Sequence, residues 1–332
     1  MSIHKKIFRN ILNNRNNLIG SINELPASPK IFIDATFQIG DYFSISPIIE
    51  AIKLKWEDAN ITILCTPVNV DVISTDSRVN YLLLPHKNKW YTYPKKLKPF
   101  KGDIDLLIEP ASLDRAHRCI LGFILKPTLT IGLDQSVKCI QKPLTDIGDK
   151  GLFQPMVYSN MMAAYGFDHV SGMFKVYENQ DKLISTDKIL TEKNIKDYIV
   201  FNPFASSKKR CLTVEKSKEI INELKEKNLT CVFIVPDYIK NKKKWTHALG
   251  HNCHILTVSS IQDSICLIKR SNGVISVDTA LVHISTAYNK PIIGLYSQSE
   301  LHSKNWKPNS DKKHSALMND SAQYIVDLTV LK

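Results

Sequence analysis

Three stretches of the 332-residue sequence combine residue types able to hold and move charge where a strand ends. The first is GVISVDTALVHISTAYNKPIIGLYS, residues 273–297, in which Asp278 and Thr279 follow an apolar run and His283 lies one helical turn further on. In parallel α/β sheets ligands bind beyond the carboxyl ends of strands, where the next helix offers free backbone N–H groups and the positive end of its dipole. Asp278 is placed to cap a helix starting at Thr279. The Thr279 hydroxyl, the following N–H groups and His283 are then placed to face a phosphate. An N-capping Asp beside a core histidine is the alternative reading.

The second stretch, QIGDYFSISPIIEAI, follows the strand-like IFIDATF. It reads as a Gly40-Asp41 turn leading into a helix, with Gly40 giving the turn its freedom. That turn sets Asp41 at the sheet's carboxyl edge, where a carboxylate can take a proton from an incoming hydroxyl or, more plainly, cap the helix. The third, FNPFASSKKRCLTVEK at 201–216, runs from a strand into a loop carrying Lys208, Lys209 and Arg210. A lysine point charge or an arginine fork suits a leaving diphosphate; a solvated surface loop is the alternative.

Elements able to position these residues follow from the alternation of apolar runs and helical patterns. KIFIDATF, SPIIEAIKLKW, ITILCT, YLLLP, DLLIEP and SLDRAHRCILGFIL form one series. YIVFNPF, VEKSKEIINELKEK, LTCVFIVP, CHILTV, SIQDSICLIKRS, GVISV, TALVHISTAY and PIIGLYS form a second. Such alternation predicts βαβ units and parallel sheets. Residues 135–197 read as less regular, with the interdomain connection near 175–190. SAQYIVDLTVLK reads as a terminal helix able to pack back on either half.

The length suits two domains of roughly 150 residues each, placed at 1–180 and 181–332. A composition of 43% hydrophobic and 23% charged residues excludes a disordered or fibrous chain. No apolar run reaches the roughly 20 residues that cross a bilayer, and the N-terminus has no secretory apolar core, so a cytoplasmic protein is expected. The seven cysteines form no CxxC and read as reduced core residues. A net charge of +12 calls for an anionic partner, and without a zinc-finger, RNA-recognition or basic-helix pattern nucleic acid is excluded as the expected one. His247, His251, Cys253 and His254 are close in sequence, but a helix end among them keeps them off one face, so no metal site is expected. KNKWYTYPKKLKPFKG at 87–102 interleaves Trp90, Tyr91, Tyr93 and Phe100 with lysines, a composition suited to an anionic glycolipid or membrane surface. The basic N-terminal segment KKIFRNILNNRNN has a similar amphipathic character.

Taken together, the three junctions resemble glycosyltransferase family 9, the heptosyltransferase family of lipopolysaccharide assembly. The family's GD-x5-P element is matched by Gly40-Asp41 to Pro47. Its D-T-G-x2-H-x-A-x-A-x3-P element is matched from Asp278 through His283 and Ala287 to Pro291. The resemblance runs from about residue 30 to 300 and is thin between 85 and 195. It implies the GT-B fold, α/β with two Rossmann-like domains facing across a cleft, and an inverting, metal-independent glycosyltransferase with no cofactor. The implied co-substrate is a nucleotide sugar, ADP-heptose. The implied acceptor is an anionic glycolipid of the lipopolysaccharide core, met at the cytoplasmic face of the inner membrane. By resemblance Asp41 is the general base. Thr279, the Ala280 N–H and His283 hold the donor diphosphate, Asp278 contacts the donor sugar or orients the loop, and one of Lys208, Lys209 and Arg210 neutralises the leaving group. Gly40, Lys95, Lys96 and Lys98 are assigned to the acceptor.

The sequence departs from the family in places that bear on the donor. Ala280 replaces the motif glycine, Asp237 is the only acid where a glutamate loop is usual, and Ser297 stands at a turn glycine. These departures leave open another donor, such as UDP-linked N-acetylhexosamine, or a non-catalytic nucleotide-sugar or glycan-binding protein.

Overall fold

The computed structural model of the chain describes residues 3–148, 152–249, 253–296, 305–317 and 328–331. It divides into two compact units, Met1–Met173 and Phe174–Lys332. In the first, strands β1 (Lys30–Asp34), β2 (Asn60–Cys65), β3 (Asn80–Leu83), β4 (Leu106–Glu109) and β5 (Leu129–Gly132) alternate with helices. The helices are α1 (Ile3–Asn13), α2 (Ile39–Ser44), α3 (Ser46–Lys55), α4 (Val70–Ile73), α5 (Tyr93–Leu97), α6 (Ala116–Leu125) and α7 (Gln154–Ala164). The second unit has strands β6 (Tyr198–Asn202), β7 (Thr230–Pro236), β8 (His254–Val258), β9 (Gly273–Val277), β10 (Ile292–Tyr296) and β11 (Lys313–Leu317). Its helices are α8 (Gln180–Glu192), α9 (Val214–Glu226), α10 (Lys242–Leu249), α11 (Ile261–Arg270) and α12 (Ala280–Ala287).

Both sheets are parallel and ordered alike: β3-β2-β1-β4-β5 in the first unit, β8-β7-β6-β9-β10-β11 in the second. The central strands read as unbroken apolar runs because helices cover both faces; every residue of YIVFN and GVISV is buried. Each chain segment winds outward from its first strand, then returns to the other side of that strand. Strand order therefore reverses between β1 and β4 and between β6 and β9. At such a switch point the loops diverge and leave room for a ligand.

Local signals set the helix starts. Thr213 caps α9 by accepting the Lys216 N–H, and Ser260 with Asp263 forms a capping box on α11. The segment read as irregular holds two helices. α7 buries Pro155, Tyr158, Met161 and Met162, so it lacks the polar stripe that marks a surface helix. α8 is capped by Asn179 and packs on α11. The amphipathic N-terminal helix is committed to the unit's own core: Phe8 meets the Trp90 and Phe123 rings, and Leu12 is buried. Most of the expected terminal helix lies outside the described residues. Residues 328–331 form a 3-10 turn whose Leu328 and Leu331 enter the core of the second unit. All seven cysteines are free, and only Cys211 and Cys253 are partly exposed.

Candidate active site

In the first unit the β1–β4 switch point opens into a cavity of about 600 Å³. Thr36, Gln38 and Asp41 line it from the β1 side, Lys87 and Trp90 from the segment before α5, and Arg115, His117 and Arg118 from the start of α6. Asp41 is the third residue of α2, and its carboxylate accepts the Gln38 N–H at 3.2 Å. Capping and cavity lining therefore coincide in one side chain. The expected Gly40-Asp41 turn is instead the first turn of that helix, Gly40 being its second residue, because the chain begins to coil at Ile39. Lys95 and Lys96 on α5 and Lys98 just beyond it are exposed and do not line the cavity. The aromatic residues between those lysines largely turn inward: Tyr93 is fully buried, and Phe100 packs on Phe32.

Behind the cavity wall lie charges that the sequence motifs did not single out. Asp34 ends β1 and is fully buried; its Oδ1 accepts from the Thr36 N–H at 2.8 Å and the Thr36 hydroxyl at 2.7 Å. Its Oδ2 lies 3.8 Å from Arg118 Nε. Glu109 ends β4, and because Ile33 registers with Ile108, Glu109 is the next neighbour of Asp34 across the sheet. Complete burial, reinforced by the Asp34 charge and opposed by Arg118, pushes the Glu109 carboxyl well above the usual range. His117 is pulled down to about 4, mainly by burial and then by Arg118, Lys87 and Arg115, with Asp34 opposing. At neutral pH it is an uncharged imidazole on the cavity wall.

The second unit builds its switch point from hydrogen-bonded neutral groups and one ion pair. Asn202 ends β6 opposite Ser276 of β9, and its Nδ2 lies 3.1 Å from the Ser276 hydroxyl and 3.3 Å from that of Thr279. Thr279 rather than Asp278 caps α12, its hydroxyl accepting the Leu281 N–H at 3.4 Å. Ala280 is the first helical residue. The Asp278 carboxylate turns instead toward Arg210, whose Nη1 donates to Asp278 Oδ2 and to the Asp278 carbonyl, both at 3.1 Å. Arg210 Nη2 also donates to the Ser206 hydroxyl at 3.0 Å. Lys208 and Lys209 share its 3-10 turn and stay exposed, while the Cys211 Sγ braces the loop from behind, 3.2 Å from the Ala205 N.

His283 is buried between the rings of Phe174, at 4.6 Å, and Trp306, at 5.4 Å. Burial pulls it down to about 3, so it carries no charge at neutral pH, and its Nδ1 has no hydrogen-bond partner. Of the residues singled out in the sequence, the second unit thus gathers Arg210, Asp278, Thr279 and Ala280 around one helix start, with His283 packed one turn behind. The Asn202 bridge was missed, although an Asn closing an all-apolar strand, YIVFN, was a readable signal. Asp237 is exposed and paired with Lys242. Ser297 and His251 lie outside the described residues. Among the described residues no group of three His, Cys, Asp or Glu side chains forms a metal site.

The model of glycosyltransferase family 9 (heptosyltransferase) matches residues 118–326. A curated Escherichia coli (strain K12) protein, "Putative lipopolysaccharide heptosyltransferase 4", is 27% identical over 92% of this chain and 84% of its own length. Among solved structures, the glycosyl transferase family 9 protein of Veillonella parvula DSM 2008 superposes with a TM-score of 0.75 at 14% identity, over 90% of each chain. E. coli ADP-heptose LPS heptosyltransferase II superposes with a TM-score of 0.69 at 14% identity, over 91% of this chain and 95% of that one. E. coli heptosyltransferase WaaC, solved with ADP, gives 0.66 at 12% identity, over 87% and 93%. These similarities make the fold GT-B, two Rossmann-like α/β domains, and with more than half its length matched by the family model the chain belongs to glycosyltransferase family 9, the heptosyltransferase family.

Proposed function

We propose that this glycosyltransferase moves heptose from ADP-heptose, with inversion, to a hydroxyl of an anionic lipopolysaccharide core acceptor. The observation that carries the reading is the pairing of chemistries: a carboxylate, Asp41, in a cationic cavity of one unit, and Arg210 over the Thr279-capped start of α12 in the other. The heptose and lipopolysaccharide assignments draw on the names of the relatives, a putative lipopolysaccharide heptosyltransferase and an ADP-heptose LPS heptosyltransferase.

Asp41 takes the acceptor proton as the hydroxyl oxygen bonds to the anomeric carbon. The bond from that carbon to the diphosphate oxygen breaks, and its electron pair leaves with ADP. Arg210, the Thr279 hydroxyl and the N–H groups opening α12 hold the diphosphate, with Lys208 and Lys209 adding positive potential. Asp278 holds Arg210 in register and His283 packs behind the turn. Fixed cations and a helix dipole supply the charge stabilisation that a metal gives other transferases, so the reaction proceeds without one.

The protein works in the cytoplasm at the inner membrane, where exposed Lys95, Lys96 and Lys98 favour anionic headgroups; salt-sensitive binding to phosphatidylglycerol vesicles, lost on replacing all three with Ala, tests this. The donor is tested by thermal shift with ADP, UDP, GDP and ADP-heptose. Stabilisation by ADP and more by ADP-heptose supports the reading. Selective stabilisation by UDP replaces the donor, and donor binding with no transfer to any core acceptor leaves a non-catalytic binding protein.

A further inference from the structure

Asp34 and Glu109 are two carboxyl groups side by side at the ends of neighbouring central strands, with 0% and 1% of their surface exposed. Two adjacent carboxylates in so dry a place cannot both be ionised. Of the two, Asp34 accepts from Thr36 and lies 3.8 Å from Arg118. Glu109 Oε2 has no hydrogen-bond partner. The Glu109 stem is also clamped. A Cβ at position 132 would lie 2.4 Å from the Glu109 carbonyl oxygen and 3.0 Å from its Cβ, so glycine there lets β5 close on it. Arg118 stands between this pair and the cavity that it lines.

We propose that Asp34 and Glu109 act as one unit, a carboxylate beside a carboxylic acid with a single negative charge between them. That unit positions the Arg118 guanidinium on the cavity wall to bind an anionic group of the acceptor. The proposal rests on the reading of the Asp41 cavity as the acceptor site. A full second charge would hold Arg118 too tightly and carry a heavy desolvation cost; with no charge, Arg118 would be held only by the Ser112 carbonyl and the exposed Asp114. Arg118 Nη1 donates to the Ser112 carbonyl at 3.1 Å and lies 3.7 Å from Asp114, and with the buried charge 3.8 Å from Nε, too long for a hydrogen bond, the guanidinium is aimed while its Nη2 serves the ligand. Lys87 and Arg115 line the same cavity and add positive potential, and the first turn of α6 contributes its dipole. The other titratable groups facing the pair are His117 of α6, Tyr93 of α5 and Cys139 after β5. Burial holds His117 neutral, and burial raises Tyr93 and Cys139, so both stay protonated. The anionic group is a phosphate or a carboxylate, which Arg118 binds alike.

The test is a double-mutant cycle read by acceptor affinity in the full chain. The probe is deacylated lipopolysaccharide core oligosaccharide, offered native, dephosphorylated, or methyl-esterified at its carboxylates, and titrated calorimetrically. Arg118→Met weakens binding of the native core at least tenfold and Asp34→Asn severalfold, and Asp34→Asn adds nothing in the Arg118→Met background. Glu109→Gln, which keeps a neutral neighbour, costs less than Asp34→Asn. The modified core that no longer responds to Arg118→Met identifies the anionic group. Should Asp34→Asn fail to fold, Arg118→Lys and Glu109→Gln carry the test, with Arg118→Lys recovering part of the affinity lost in Arg118→Met. Losses that multiply in the double variant, a larger cost for Glu109→Gln than for Asp34→Asn, or native core binding unaffected by Arg118→Met would each overturn the proposal. Any of these results, with transfer still strongly cut by Asp41→Asn, overturns the pair alone. Full transfer in Asp41→Asn overturns the reading beneath it.

Discussion

The two switch points share a topology and solve opposite electrostatic problems. At β1 and β4 the first unit sets ionisable groups next to one another, the buried Asp34 and Glu109 and the half-buried His117 and Arg118, and leaves several of their atoms without hydrogen-bond partners. At β6 and β9 the second unit fills the same positions with Asn202, Ser276 and Thr279, joined by hydrogen bonds, and its one ion pair is closed on itself. On the proposed reading the first switch point accepts a proton and the second holds a diphosphate, so that one strand order hosts both chemistries.

Substitutions that exchange these characters have graded effects. Asp41→Asn cuts transfer by roughly a hundredfold to ten-thousandfold while calorimetric ADP affinity is retained; full transfer in this variant would remove the first unit's role as the proton acceptor. Arg210→Met weakens ADP by about tenfold or more, the effect of losing hydrogen bonds to a charged group worth about 1.5–3 kcal/mol. An unchanged ADP affinity would move the diphosphate away from α12. Thr279→Ala lowers unfolding stability by about 1 kcal/mol through the lost cap, seen as a lower urea midpoint.

The smallest effect is a slope. His117 and His283 are held at about 4 and about 3, below their ordinary value of 6.5. Between those values and 6.5 the unfolded chain binds more protons, so stability falls as pH falls through that window. Glu109, raised by burial, gains stability as pH falls toward 4.5 and opposes the two histidines. His283→Phe therefore flattens the acid loss and Glu109→Gln steepens it. Urea midpoints measured from pH 7 to pH 4 check both, and parallel curves for all three proteins would refute the assignment.

Much of the fold was written in local pattern. Central strands such as YIVFN and ITILC announce themselves because both faces are covered, and helices such as α9 and α11 carry their caps in sequence. β5 and β11 were not legible; they are short edge strands whose pairing depends on neighbours far along the chain. α7 was hidden because it is largely apolar and has no polar stripe. At the site, Asp278-Thr279 and Asp41 were visible, yet the cap fell to Thr279, since Arg210 from 68 residues away claims the Asp278 carboxylate. The buried pair was signalled only by two apolar runs that each close on an acid, IFID and LLIE. Their adjacency depends on a strand register that local pattern cannot supply.

The sulfur behind the basic loop has a practical consequence. Cys211 follows Arg210 directly and is one of two cysteines with partial exposure; the other five are buried. A mild alkylating reagent therefore separates the folded protein's thiols into two groups, and a mass tag on Cys211 records whether the loop is open or occupied. Slower tagging of Cys211 with ADP present, and unchanged tagging of Cys253, would map nucleotide occupancy by footprint without any acceptor in hand.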